Sequence, residues 1–231
     1  MLESLLDGVR RVAVVCNQWG DSGKGKIVDA LAEWADVTAR GTGGNNAGHT
    51  YFHDGKERVQ HLIPVGIVHD AEGKITIIGN GTVIDVGVLC AELDDLEQDG
   101  LSYDNLMISS NAQVIMPYQI ELDCQKNKSL RDGGIGSTGK GIGPCYTDKI
   151  ARRGIMVKDL YNLDLLATKI KAAAPYYLGL TINAEEIMEG LQAAAQRIKP
   201  LVRDTVFEMH RLMRSGKRIV FEGAQGLLLS I

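Results

Sequence analysis

Arg11-Val-Ala-Val-Val-Cys-Asn17 leads to Gly20-Asp-Ser-Gly-Lys-Gly-Lys26, and that loop into Lys26-Ile-Val-Asp-Ala-Leu-Ala-Glu-Trp-Ala35. The first stretch is a short β-branched run, the composition of a buried strand. In the last, Ile27, Val28, Leu31, Ala32 and Ala35 recur at helical spacing. The loop between them fits G-x-x-x-x-G-K. Its glycines let backbone N–H groups converge on phosphate oxygens, and the following helix offers its positive end to the same anion. Lys24 and Lys26 add charge. Position 27 is Ile, where such loops normally carry the Ser or Thr that holds Mg²⁺. A metal must then be held elsewhere, and Asp21, inside the loop, is the obvious carboxylate for a hard cation.

Working outward, Val37 to Arg40 and Ile75 to Gly79 read as strands, with a glycine-rich loop over 41–50 between them. Val86 to Leu96 has helical periodicity, Leu106 to Ser109 is a strand candidate, and Pro117 to Leu130 looks helical. A second glycine loop covers 132–149, a helix follows over Leu160 to Ala173, and Glu185 to Arg214 reads as one or two helices broken near Pro200. Arg218 to Glu222 closes as a strand before a last glycine loop, Gly223-Ala-Gln-Gly226. Strands alternating with helices predict an α/β fold with a mainly parallel sheet and flanking helices. We expect one nucleotide-binding domain over 1–231, with a helical insertion at about 100–200.

The bulk numbers exclude several classes. With 25 Lys and Arg against 29 Asp and Glu, the net charge is −4, which gives no basic footprint for nucleic acid or an acidic membrane. No apolar stretch approaches the ~20 residues of a membrane helix. Met1-Leu-Glu-Ser-Leu-Leu-Asp7 is too acidic and too short in apolar residues for a signal peptide. Cys16, Cys90, Cys124 and Cys145 form no C-x-x-C pair, so they read as reduced thiols of a cytoplasmic protein.

Gln18-Trp-Gly-Asp-Ser-Gly-Lys-Gly-Lys26 closely resembles the QWGDEGKGK signature of the adenylosuccinate synthetases. Asn46-Ala-Gly-His-Thr50 and His61-Leu-Ile-Pro64 resemble that family's next two segments. Ser137-Thr-Gly-Lys-Gly-Ile-Gly-Pro144 with Asp148-Lys-Ile-Ala-Arg-Arg-Gly154, and then Phe221-Glu-Gly-Ala-Gln-Gly226, resemble the two after those. The matches run in family order. The resemblance implies a P-loop NTPase-like fold and a ligase of purine biosynthesis. It implies GTP-dependent joining of L-aspartate to IMP through 6-phosphoryl-IMP, with Mg²⁺, in a cytoplasmic homodimer.

Residue roles follow from the same resemblance. Asp21 stands at the position of the base that takes the N1 proton of IMP and of a Mg²⁺ ligand. His49 stands at that of the acid, and Gly48 at that of the second metal contact. Gly20, Asp21, Ser22, Gly23, Lys24, Gly25, Lys26, Gly48, His49 and Thr50 correspond to the nucleotide site. Asp21, Lys24, Asn46, Thr138, Arg152 and Gln225 correspond to the IMP site, with Arg152 reaching a partner subunit. Taken alone, Asp21 also reads as a turn residue, His49 as a loop histidine, and Arg152 and Arg153 as a solvated pair. The other four histidines show no ligand spacing.

Ser22 departs from the family's usual Glu, Asn45 from its usual His, and Ser230 from an acidic residue. A related synthetase acting on a 2-amino purine nucleotide is the nearest alternative. Such enzymes often lack the loop aspartate, which is present here. Because the chain ends in the apolar run Gly226-Leu-Leu-Leu-Ser-Ile231, it reads as the N-terminal part of a longer synthetase. A non-catalytic nucleotide-binding fragment is the alternative on that ground.

Overall fold

The structure, a computed structural model, describes residues 5–129 and 137–229. The ends of the chain, Leu130 and the first part of the expected glycine loop over 132–149 lie outside the described residues, as does Ser230.

Among the described residues, six parallel strands form the central sheet. They are β1 (Arg11–Cys16), β2 (Val37–Arg40), β5 (Ile75–Ile78), β7 (Leu106–Ser109), β9 (Val202–Arg203) and β10 (Ile219–Gly226), in the order β1-β10-β2-β5-β7-β9. The last strand in sequence enters between the first two. Arg11 aligns with Ile219, and Ile219 with Val37. All four residues of β2 are buried, as expected for a parallel sheet covered on both faces. The parallel sheet predicted from the alternation of strands and helices is the one observed. Two short strands, β6 (Val83–Ile84) and β8 (Gln113–Val114), pair separately and in parallel.

The helix after the first loop is α1 (Lys24–Ala32), which buries Val28, Leu31 and Ala32. Helix α2 (Val86–Gln98) is capped by Asp85, whose carboxylate accepts from the N–H groups of Gly87 and Val88 at 3.0 and 3.2 Å. Such a cap contributes about 1 kcal/mol. Among the described residues, four further α-helices lie between β7 and β9: α3 (Pro117–Ser129), α4 (Ile142–Ile150), α5 (Leu163–Ala173) and α6 (Ala184–Ile198). Helix α7 (Thr205–Arg214) precedes β10. No described helix is long and apolar enough to cross a membrane.

Several boundaries differ from expectation, each for a local reason. The loop predicted over 41–50 ends at Gly48, because His49 opens strand β3 (His49–His53). This pairs antiparallel with β4 (Lys56–Gln60) through the turn Asp54-Gly55. Both turn residues have positive φ, 52° and 75°, the type I′ geometry that Asp-Gly favours. The loop expected up to 149 becomes α4 from Ile142 onward, since Cys145 and Asp148 on that turn are buried. The single helix expected from Leu160 is a 3₁₀ turn, Val157–Tyr161, followed by α5. Asn162 caps α5, its side chain accepting from the N–H of Leu165 at 3.1 Å. The long helical stretch from Glu185 breaks at Pro200 as expected, and what differs is that Val202 and Arg203 form a short strand paired with β7. The last glycine loop, 223–226, belongs to β10.

One cluster anchors the helical region. Asp148, 1% exposed, accepts from Gln119 Nε2 at 2.7 Å, Tyr177 Oη at 2.5 Å and Arg153 Nε at 2.6 Å. Burial, with the bond to this carboxylate, pushes the Tyr177 phenol well above its ordinary value. Burial also raises Tyr51, Tyr118 and Tyr146, and pushes Tyr161 up to about 12. Below about pH 10 these phenols are protonated in both folded and unfolded chains, and their contribution is fully present. Above it the unfolded chain sheds protons that the folded chain keeps, so stability falls as pH rises. Chemical denaturation at stepped pH should show a midpoint that drops from about pH 10 upward, by up to about 1.4 kcal/mol per pH unit for each phenol. Tyr161→Phe should shallow that slope. A flat profile between about pH 9 and 11 would contradict the burial of these hydroxyls.

Candidate phosphate-binding and catalytic site

The glycine loop leaves β1 with backbone geometry that few residues accept. Gly20 and Gly23 have φ of 116° and 73°, and Asp21, between them, lies in the left-handed region at φ 48°. Asp tolerates that region better than most non-glycine residues, and strain of this kind concentrates at functional sites. Gly23 is the N-cap of α1, and no acidic residue occupies that helix's first turn, so its positive end is left uncompensated. Lys24 is buried at 6% exposure. Gly25 packs against the start of β3: a Cβ there would lie 2.9 Å from the Thr50 carbonyl oxygen and 3.1 Å from His49 Cβ.

The second loop, 41–48, is fixed by a buried guanidinium. Arg40, 1% exposed, donates from Nε to Thr42 O at 3.2 Å, from Nη2 to Gly44 O at 2.7 Å, and from Nη1 to His61 O. Burial pushes its pKa down, and the nearby carboxylates of Glu222 and Glu92 oppose that shift. Glu92 is itself pushed up by burial, against N–H bonds from Ile63, His61 and Leu62. The His61 ring donates from Nδ1 to Ala47 O at 2.6 Å. From the other side, Lys140 Nζ donates to Asn45 O at 2.8 Å, which ties the segment around Thr138 to this loop.

His49 is buried, its Nδ1 bonded to Glu222 Oε1, and its Nε2 has no partner among the described residues. Gln225 Oε1 is likewise buried and unpaired. Both side chains line a cleft of about 650 Å³ at the carboxyl ends of β1, β10 and β2, the end of a parallel sheet where ligands bind. Gly20, Asp21, Ser22, Gly23, Lys24, Gly25, Lys26, Asn46, Gly48, Thr50 and Thr138 line it with them. Arg152 does not. It is exposed, at φ 59°, just beyond α4. Two residues of the site carry no functional signal of their own in the sequence: Arg40 reads only as a strand end, and Glu222 only as part of a motif. Their positions beside a glycine loop and before Gly223 are visible there, but their burial is not.

A glycine loop, an uncompensated helix end and a paired imidazole, all at one end of a parallel sheet, define an α/β fold of the P-loop kind. The chain belongs to the adenylosuccinate synthetase family, whose model, described as adenylosuccinate synthetase, matches residues 13–231. It is 45% identical over 235 residues to the adenylosuccinate synthetase of Myxococcus xanthus, covering 95% of this chain and 53% of that protein. It is 46% identical over 226 residues to that of Halothermothrix orenii, covering 94% and 52%. The chain therefore spans about half the length of the curated relatives it matches. Among solved structures, a fully ligated adenylosuccinate synthetase from Plasmodium falciparum superposes with a TM-score of 0.85 at 31% identity, covering 96% of this chain and 53% of that one. The succinoaminodeoxyadenylate synthetase of cyanophage S-2L shares the fold, with a TM-score of 0.61 at 24% identity, covering 96% and 53%.

The packing of Gly25 on β3 makes phosphate binding sensitive to one methyl group. Gly25→Ala should force the loop and His49 apart at a cost of about 1–3 kcal/mol. Calorimetric titration with tripolyphosphate should show affinity at least about tenfold weaker than wild type. Unchanged affinity would mean that the contact between the loop and β3 does not shape the phosphate site.

Proposed function

We propose that the whole protein carrying this chain is an adenylosuccinate synthetase: it ligates L-aspartate to IMP with GTP as the energy donor, through 6-phosphoryl-IMP. The observation that supports this most directly is the convergence of Asp21, Lys24, Asn46, His49, Thr138 and Gln225 on one cleft, beside the open end of α1. O6 of IMP is a weak nucleophile until N1 gives up its proton. Asp21, exposed in the cleft, takes that proton as O6 attacks the γ-phosphorus of GTP and the bond to the β-phosphate oxygen breaks. The N–H groups at the start of α1 and the Lys24 ammonium hold the phosphates as charge shifts onto the leaving diphosphate. His49 Nε2, on the strand that packs against the loop at Gly25, supports that charge. The aspartate amine then displaces phosphate from C6.

The donor set suits Mg²⁺, since the Asp21 carboxylate and the Gly48 carbonyl are hard oxygens on the same cleft, with Ile27 in place of the usual hydroxyl. When bound, the ion would neutralise phosphate charge. Arg152 serves IMP in the partner subunit of a homodimer. Its neighbour Arg153 is held by Asp148 and stacks 4.1 Å from the Tyr176 ring centroid, which leaves Arg152 facing outward.

Assay of the whole protein with IMP, L-aspartate, Mg²⁺ and GTP, followed by absorbance, should yield adenylosuccinate. A parallel arm with dGMP and dATP, the ligands of the cyanophage enzyme, in place of IMP and GTP should be inactive. Turnover in the second arm alone, or in neither, overturns the reading. Asp21→Asn should lower kcat by ~10²–10⁴-fold through loss of the base. His49→Asn should lower it by ~10²–10³-fold through loss of a transition-state donor. KM should move less in both, because these contacts strengthen as charge develops. A kcat within about threefold of wild type, under ~1 kcal/mol, would reduce that residue to a structural role.

A further inference from the structure

His49 is held from behind by a residue that does not itself reach the cleft. Glu222 sits on β10, where it aligns with Val14 of β1. One carboxylate oxygen, Oε1, meets His49 Nδ1, and the other, Oε2, accepts the N–H of Val65 at 2.9 Å. Glu222 is 3% exposed and His49 5%. Glu222 is not among the residues lining the cleft, whereas His49 is. An ionised carboxylate can only accept, so the proton between the two side chains belongs to Nδ1, and Nε2 is the nitrogen left to face a ligand. That nitrogen is buried and unpartnered among the described residues.

We propose that Glu222 is the positioning residue for His49: it keeps a proton on Nδ1 and fixes the ring so that Nε2, when it carries the proton to be donated, points at the phosphates. The inference rests on the phosphoryl-transfer reading of the cleft for its kinetic consequence, but not for its structural one. The carboxylate is well placed for the task because neither of its oxygens is free to turn. One is engaged by the strand-borne histidine, the other by a backbone amide at the start of the Val65–Glu72 3₁₀ segment. Carboxylates that orient an imidazole in this way act through its geometry and tautomer, without entering the reaction themselves.

The test uses four variants of the whole protein: Glu222→Gln, Glu222→Asp, His49→Asn, and the double variant that combines Glu222→Gln with His49→Asn. Glu222→Gln should lower kcat by about ten- to hundredfold, as loss of an orienting partner does at other imidazole sites. KM should stay within about threefold. Glu222→Asp, which keeps the carboxylate, should recover part of the loss. The double variant should be no worse than His49→Asn alone, since Glu222 acts only through that ring. Nitrogen-15 NMR of the imidazole should show the Nδ1–H tautomer in wild type and a mixture in Glu222→Gln. An unchanged kcat in Glu222→Gln, multiplicative losses in the double variant, or the Nε2–H tautomer in wild type would each overturn the assignment. If His49→Asn keeps full turnover, the donor role of His49 fails, and the NMR tautomer still decides whether Glu222 holds the ring.

Discussion

The candidate site depends on one buried charge. Arg40 ends the central strand β2 with its guanidinium sealed from solvent. Leaving such a group unpaired would cost several kcal/mol. Its hydrogen bonds go to three backbone carbonyls, those of Thr42, Gly44 and His61. Each bond helps to fix a stretch of chain that Lys140, Tyr146 and Glu92 hold from other sides. The glycine-rich loop 41–48 has no hydrophobic side chain large enough to anchor it, and the chain leaving β4 turns at His61. A guanidinium suits this place because its planar fork can serve several acceptors at once while its charge is balanced at a distance by Glu222 and Glu92.

The two carboxylates divide the remaining tasks. Glu92, on α2, accepts the N–H groups of His61, Leu62 and Ile63, and so closes the backbone where the β3–β4 hairpin ends. Glu222 turns toward His49 and Val65. Burial acts on Arg40 and Glu92 in the same sense, toward their neutral forms; the carboxylates of Glu222 and Glu92 oppose it at Arg40, and the N–H bonds from Ile63, His61 and Leu62 oppose it at Glu92. A network of this kind tolerates little rearrangement, because removing any one member strands the others. His49 therefore sits on a wall of the cleft that is far stiffer than a loop histidine would suggest.

What the sequence makes legible follows the same division. The β1–loop–α1 unit can be read because its signals are local: a β-branched run, glycines at set spacing, and helical periodicity after them. The β3–β4 hairpin is hidden because its strands carry His49, His53, Lys56, Glu57 and Arg58, a composition that resembles a loop, although Asp54-Gly55 is a turn signal. Helix α4 is hidden by Gly143 and Pro144 in its first turn, and it forms because Cys145 and Asp148 have buried places to go. For the site, Asp21 and His49 stand out through motif likeness. Arg40 and Glu222 do not, because a charged residue at a strand end reads as solvent-facing until the fold shows what covers it.

The cleft also has an electrostatic direction. On the side of the glycine loop stand the open end of α1 and the ammonium groups of Lys24 and Lys26, with no acidic residue in the first helical turn. Behind His49 lie Glu222 and Glu92, with Arg40 near both. The imidazole of His49 separates these regions, bonded to the carboxylate on one side and open to the cleft on the other. The cleft thus offers cationic and N–H groups together with the Asp21 and Glu57 carboxylates, and an imidazole whose far nitrogen is already committed. A carboxylate fixed by its two bonds lies behind the ring. Preorganisation of this kind requires no reorientation as charge develops, and here it is supplied by residues from β2, β3, β10 and α2 that are remote in sequence. The phosphate loop alone could bind an anion. It is the folding of β10 between β1 and β2 that brings Glu222 to His49 behind the cleft.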